Sequence, residues 1–147
     1  MRRFVSYMFL GIFVLAFVLS AVFYSQRQAR VRKVLYFPSY DSELLCTEAR
    51  YVPADVHQGE ISFLLDELLL GPITNRYKRI FPRGTRAAYC FEKDNTLYVG
   101  LSEEALQEVG GHSIREGVDL LRLNIVKNFT YLNKIDVSID SKSAFEE

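Results

Sequence analysis

The chain has 147 residues, of which 49% are hydrophobic, and it carries 18 basic and 18 acidic side chains. This length allows one domain of ordinary size. The zero net charge hides an asymmetry, because residues 1–33 contain six Arg or Lys and no acid, which leaves 12 basic and 18 acidic residues in 34–147. An acidic domain of this kind argues against nucleic acid as a partner.

The first feature along the chain is an uncharged apolar segment that covers residues 4–24. At about 1.5 Å per residue, a helix of this length spans roughly 30 Å, which is the thickness of the hydrocarbon core of a bilayer. The alternative is a cleaved signal peptide, but its apolar region usually runs for about 7–15 residues, and Leu19 stands where a cleavage site needs a small residue. We therefore predict a transmembrane anchor and basic linker at 1–33, followed by one domain at 34–147.

The charges beside this segment leave its orientation open. Two Arg precede it, and four Arg or Lys follow it, up to Lys33. The positive-inside rule slightly favours the cytoplasm for the side after the segment, but a whole domain translocates largely regardless of nearby charge.

Hydrophobic periodicity predicts the elements of the domain. We expect the order β-β-α-β-β-α-β, and the simplest packing is an α+β fold with a mixed, mostly antiparallel sheet of about five strands and two helices on one face. The predicted elements are strands at 34–37 and 44–52, a helix at 59–70, a hairpin of strands at 86–92 and 96–101, a helical turn at 102–109, a helix from 114 to about 128, and a strand at 134–140.

Local signals support these boundaries. Gly71 followed by Pro72 ends the first helix, and Ser113 with Glu116 forms a capping box at the start of the second. In the second strand, alternate residues fall on opposite faces, so we predict a half-exposed strand. We expect the chain after residue 141 to be frayed.

The residues that usually carry chemistry do not converge on a catalytic pattern. His57 and His112 have no cysteine or carboxylate at a ligand spacing, so we expect no metal and no cofactor. The adjacent acids at 66–67 and 103–104 point about 100° apart on a helix, so neither pair converges on one bond. We therefore expect a protein that is not an enzyme.

Cys46 and Cys90 are the two cysteines of the chain. Their spacing fits neither a CxxC motif nor a zinc site. They could form one disulfide if the domain lies outside the cytoplasm, and the alternative is two free, partly buried thiols.

A group of basic residues crowds the loop between the first helix and the hairpin. We consider it a candidate contact patch for an anionic partner such as a lipid headgroup, a glycan phosphate or a protein. The alternative is a solvated loop that its aromatic residues hold against the core. The basic residues are Arg76, Lys78, Arg79, Arg83 and Arg86.

The segment LLDELLLGPITNRYKRIFPRGT, residues 64–85, resembles the GerMN domain family of bacterial sporulation and germination proteins. That family shows a helix that ends in Leu-Leu-x-Gly-Pro, then a loop, then Pro-x-Gly-Thr before a hairpin. The resemblance extends over about 34–142. Gly100 stands where the family usually has an acid, and Ser141 where a glycine often follows. The matching motif residues are Gly71, Pro72, Pro82, Gly84 and Thr85.

The resemblance implies a domain of the bacterial cell envelope, usually anchored or lipidated and outside the cytoplasm. It also implies a likeness to modules that assemble into rings through their sheets and helices. We therefore expect a single-pass, membrane-anchored binding or assembly module with the bilayer and an envelope protein or cell-wall component as partners. The alternative is a self-associating structural component, and an enzyme that acts on the cell wall is the less favoured hypothesis.

Overall fold

The computed structural model shows an amino-terminal helix followed by an α+β domain. It describes residues 2–25, 30–42, 44–54, 59–107, 111, 113–140 and 142–143. The elements are α1 (Arg2–Ser25), β1 (Arg30–Pro38), β2 (Leu45–Pro53), α2 (Glu60–Leu70), β3 (Ala87–Lys93), β4 (Thr96–Leu101), a 3-10 turn (Glu103–Leu106), α3 (Ile114–Asn128), β5 (Lys134–Ile139) and β6 (Lys142–Ser143).

The predicted apolar helix is present as α1. Its segment Tyr7–Ser25 has a mean hydropathy of 2.3, and none of that segment is buried against the rest of the chain. Length and composition therefore make α1 able to cross a membrane.

The α+β class and the order of the predicted elements are confirmed, and the strands divide between two sheets. β1 and β2 form an antiparallel ribbon, whereas β3, β4, β5 and β6 form a four-stranded mixed sheet in that order. The central pair, β4 and β5, is parallel. The outer edge of β1 is occupied by side chains of α3 and not by another strand.

Two asparagines of α3 occupy that edge. Asn124 accepts a hydrogen bond from the backbone N–H of Tyr36 at 2.7 Å and donates to its carbonyl at 3.0 Å. Asn128 makes the same pair of bonds with Val34, at 3.1 and 2.7 Å. Because the two amides stand one helical turn apart, they meet alternate residues of β1, as a neighbouring strand does.

β1 begins at Arg30, which is earlier than the predicted start at Val34. Arg30 pairs with Pro53, so the basic linker is partly a strand. The arginines at 30 and 32 are exposed on the outer face of the ribbon, where charge does not oppose strand formation.

Two ion pairs hold α2 against the inner face of this ribbon. Lys33 meets Glu60 at 2.8 Å, and Arg50 meets Glu67 at 3.2 Å. The two glutamates are seven residues apart and therefore lie on one side of the helix. The inner face of β2 is thus its polar face, and Arg50 is only 7% exposed.

The hairpin and the end of the chain complete the larger sheet. Asp94 and Asn95 both adopt positive φ angles, 51° and 58°, which is the geometry of a tight two-residue hairpin turn. β6 pairs antiparallel with β5, so the expectation of a frayed end after residue 141 is wrong for Lys142–Ser143. One hydrophobic core joins both sheets and the buried faces of α2 and α3.

Candidate anion-binding pocket

The structure divides the predicted basic patch into two groups. Arg76 and Lys78 follow the outer edge of β1, where the carbonyl of Arg76 accepts from Tyr40 at 3.2 Å and the N–H of Lys78 donates to Pro38 at 2.7 Å. The ammonium of Lys78 lies 5.8 Å from the centre of the Tyr40 ring. These two residues therefore extend the ribbon and do not join the other three.

The other three basic residues line one pocket of about 560 Å³ at the carboxyl end of α2. We call it the arginine pocket. Three guanidinium groups and one carboxylate face this space, so its local charge is positive although the domain as a whole is acidic. It is lined by Asp66, Leu69, Leu70, Arg79, Arg83, Gly84, Thr85, Arg86 and Ala87.

Arg79 is the fixed member of the group. Its guanidinium donates a hydrogen bond to the carbonyl of Leu70, which is one of the last carbonyls of α2. Its side chain also lies against Gly71, where an added Cβ would stand 3.1 Å from Cγ of Arg79. Gly71 therefore has two roles. It leaves room for the side chain of Arg79, and it ends the helix with a φ of 86°.

Arg83 and Arg86 are exposed and are placed by their backbones. Arg83 sits in the turn that the N–H of Thr85 closes on the carbonyl of Pro82 at 3.3 Å. Arg86 is held by two hydrogen bonds to Ser102, both of 3.0 Å. The backbone N–H of Arg86 donates to the hydroxyl of Ser102, and the backbone N–H of Ser102 donates to the carbonyl of Arg86. Their guanidinium groups can thus reach a ligand while their main chains stay in place.

Thr85 leaves an unused polar atom beside the pocket. The residue is 6% exposed, and its hydroxyl oxygen is buried without a hydrogen-bond partner among the described residues. Buried hydroxyls normally find a partner.

The predicted motif residues lie around this pocket. The carbonyl of Gly71 accepts from the guanidinium of Arg50 at 2.9 Å, which ties the helix end to β2. Pro72 follows this cap, and Pro82, Gly84 and Thr85 form the turn before β3, with Gly84 at a φ of 95°. Of the motif residues, Gly84 and Thr85 line the arginine pocket, and Gly71 packs against the side chain of Arg79.

The acids that stand next to each other in sequence are separated in the structure. Asp66 lines the arginine pocket, whereas Glu67 turns to Arg50. The pKa of Glu104 is lowered, chiefly by a hydrogen bond from Ser102 and to a smaller extent by the charge of Arg86. Glu104 is therefore suited to remain ionised, and Asp66 and Glu67 face different surroundings.

Both cysteines are free in the structure, so the disulfide that the sequence left open is not formed. Cys46 lies in β2 and Cys90 in β3, which belong to different sheets. Burial raises the pKa of the Cys90 thiol, against a hydrogen bond to Ser62 that lowers it. His57 and His112 lie outside the described residues.

Sequence reasoning missed the residues that hold the ribbon in place. Asn124 and Asn128 adjoin the apolar stripe of α3, and their spacing of four was the available signal. Arg50 gave no signal, because alternation in β2 divides the residues into two faces without saying which one is buried.

The fold and the pocket define a class of protein: an α+β domain with an arginine-lined pocket, preceded by an apolar helix that could anchor it. A family model described as "Germane: Sporulation and spore germination" matches residues 34–144. The chain therefore belongs to this family, which confirms the resemblance seen in its sequence.

Other proteins are similar to this chain. An uncharacterised lipoprotein of Treponema pallidum (strain Nichols) is 24% identical over 102 residues, which cover 69% of this chain and 76% of the relative. The first GerMN domain of the sporulation protein GerM from Bacillus subtilis has a TM-score of 0.58 at 16% identity, and the match covers 78% of this chain and 86% of that structure.

The tandem GerMN domains of the same Bacillus subtilis protein have a TM-score of 0.61 at 15% identity. The match covers 78% of this chain but 40% of the tandem structure. At these identities, the likeness to both structures shows the fold.

Proposed function

We propose that this chain is a membrane-anchored binding module of the bacterial cell envelope, with its domain outside the cytoplasm. The observation that carries the proposal is the apolar, exposed helix that ends at Ser25, only a few residues before β1 begins at Arg30. A connection of this length reaches at most about 18 Å. The domain is therefore held against the surface of the bilayer.

Two findings support the placement outside the cytoplasm. The relative from Treponema pallidum is described as a lipoprotein, and we infer the same kind of tethering for this chain, with α1 in place of a lipid. The matching family is described as one of sporulation and spore germination, and the resemblance of this chain to GerMN domains implies a domain of the cell envelope.

The arginine pocket is the proposed binding site. Guanidinium groups match the geometry of phosphate and carboxylate, with which they form paired, charge-assisted hydrogen bonds. Arg83 and Arg86 are exposed and held by their backbones, so they are suited to an anionic group of a cell-wall or other envelope component. Arg79 shapes the pocket, because its guanidinium already bonds to Leu70.

We also propose that the domain binds without chemistry of its own. Glu67 is paired with Arg50, and the pKa of Glu104 is shifted towards the ionised form. A general acid at neutral pH needs the opposite shift.

The test of binding is co-sedimentation of the detergent-solubilised full chain with purified bacterial cell walls. We expect the double variant Arg83→Gln, Arg86→Gln to bind about tenfold more weakly, because two charge-assisted contacts are lost. The double variant Lys93→Gln, Lys134→Gln is the matched control, because it also removes two exposed positive charges. Unchanged sedimentation of the arginine variant would contradict the binding role.

A further inference from the structure

We propose that two copies of this chain pair through the free edge of β2 and form an antiparallel four-stranded sheet across a two-fold axis. This proposal rests on the anchored module proposed above, because anchored copies diffuse in one plane and meet at a raised effective concentration. The surface is defined by the backbone of β2 and not by the arginine pocket.

The two edges of the β1-β2 ribbon differ. The outer edge of β1 is occupied at Val34 by Asn128 and at Tyr36 by Asn124. Further along, the carbonyl of Pro38 accepts from the backbone of the loop that follows α2. Between Val34 and Pro38, this edge is therefore occupied and offers no place for another strand.

The outer edge of β2 is open. In an antiparallel ladder, opposite residues either bond to each other or both direct their backbone groups away. Val34 and Tyr36 direct their backbone groups to α3, so their partners in β2, Ala49 and Thr47, must direct their own backbone groups away from β1. Because backbone direction alternates along a strand, Tyr51 does the same. Among the described residues, no backbone bond from another segment reaches these three, and the ribbon contains no third strand.

The open edge lacks most of the usual protection against pairing. Natural edge strands are commonly short, bulged, or marked by lysine, an internal proline or inward-pointing charges, and of these β2 has only the charges of Glu48 and Arg50, which lie on its inner face and pair with each other at 2.8 Å. β2 runs for nine residues and pairs with β1 without a bulge, and its proline is the last residue. The exposed side chains along it are uncharged: Leu45, Thr47, Ala49 and Tyr51.

Charge selects one register for the pairing. When the whole of β2 overlaps with its copy, Ala49 faces Ala49 of the second copy, and Glu48 faces Arg50 of the second copy. The two neighbouring registers place Glu48 against Glu48, or Arg50 against Arg50, and like charges directly opposite destabilise a sheet. The register that uses the full strand is therefore also the one with complementary charges.

This arrangement is compatible with two anchors in one bilayer. A two-fold axis normal to the sheet places the first residue of β1 in each copy at opposite ends of the same sheet. Both chains can therefore reach the membrane when the sheet lies parallel to the bilayer surface. The outward face of the ribbon carries Arg30 and Arg32 and no carboxylate among its described residues. Such a face suits anionic headgroups.

Cysteine cross-linking tests the register in full chains reconstituted into vesicles, with Cys46→Ala and Cys90→Ala as the background. We expect Ala49→Cys to form a covalent dimer on mild oxidation, because paired Cα atoms lie about 5.5 Å apart. Thr47→Cys should stay monomeric alone but cross-link to a chain that carries Tyr51→Cys. Failure of Ala49→Cys to cross-link, or equal cross-linking by Thr47→Cys alone, would overturn the proposal.

A second measurement keeps the native cysteines. Ala49→Lys sets two lysines opposite each other at the axis, and we expect it to weaken the dimer about tenfold when energy transfer between labelled chains is measured in vesicles. Ala88→Lys is the matched control, because Ala88 is also an exposed strand residue. Equal energy transfer in both variants would overturn the pairing. If the chain is a monomer but stays in the membrane fraction, the pairing fails while the proposed membrane anchoring stands.

Discussion

Asn124 shows how a single side chain can take the place of a strand. It is fully buried, its amide satisfies both backbone groups of Tyr36, and it also donates to Leu120 of its own helix at 2.8 Å. A buried backbone group without a partner costs about 1–3 kcal/mol.

We therefore predict that Asn124→Ala lowers the free energy of unfolding by about 2–4 kcal/mol, because both groups of Tyr36 lose their partner. The measurement is urea unfolding of the full chain in detergent micelles, followed by near-ultraviolet circular dichroism. Asn75→Ala, in an exposed loop, is the control and should stay within about 0.5 kcal/mol of the native chain. Equal stability of both variants would show that the amide does not close the edge.

Arg50 shows where sequence reasoning fails at this scale. It lies between Glu48 at 2.8 Å and Glu67 at 3.2 Å, and it also donates to Gly71. The alternation in β2 was predicted correctly, but the buried face holds charges, and only the carboxylates that approach from α2 and from β2 itself make this burial favourable.

Arg50→Met should lower the free energy of unfolding by about 3 kcal/mol, because it leaves two partly buried carboxylates without their cation. Arg32→Met, on the exposed face of the neighbouring strand, is the matched control and should change stability little. The same urea experiment separates the two variants, and a small effect of Arg50→Met would mean that the carboxylates are solvated.

Cys90 makes the stability of the domain depend on pH. Burial, as the largest cause, raises the pKa of its thiol above 9.0, so the folded state favours the neutral form. The stabilisation is fully present below the pKa of the unfolded chain and is lost as the pH rises through the folded pKa.

We expect the free energy of unfolding of the native chain to fall more steeply above about pH 9 than that of Cys90→Ala. The difference between the two chains isolates the thiol from other groups that titrate in the same range. Parallel pH dependence of the two chains would show that Cys90 ionises equally well in the folded and unfolded states.

At the scale of elements, local signals predicted α2, α3 and the hairpin, because each is determined by nearby residues. The capping box of Ser113 and Glu116 is present at the start of α3. The division into two sheets and the short β6 were not predicted, because both depend on pairing between residues far apart in the chain, on which periodicity is silent.

Gly100 is an element-scale feature with its own test. The ring of Tyr89 crosses over it to reach Ser138, and a Cβ at position 100 would lie 2.3 Å from the ring. Gly100→Ala should therefore cost about 1–2 kcal/mol in the native chain and clearly less in a Tyr89→Ala background. Urea unfolding of all four chains measures this coupling, and additive effects would contradict it.

At the scale of the whole molecule, the sequence predicted the apolar helix and the family, but it grouped all five basic residues of the loop together. The basic loop was found because its charges lie close together in the sequence, whereas its division between the ribbon and the arginine pocket depends on how residues 76–78 pair with the end of β1. The place of Asp66 in the lining of this pocket was not predicted, because the sequence does not show that the loop folds back over α2.

The central claim is that α1 holds a binding domain on the outer side of the membrane. The most direct test is labelling of Asn75→Cys in intact cells with a membrane-impermeant maleimide, because Asn75 is an exposed residue of the domain. The native chain is the control for labelling of Cys46 and Cys90. Permeabilised cells give the maximum labelling of each chain. The account predicts near-maximal labelling of the variant before permeabilisation, together with recovery of the chain in the membrane fraction. Labelling that appears only after permeabilisation, or recovery of the chain in the soluble fraction, would contradict it.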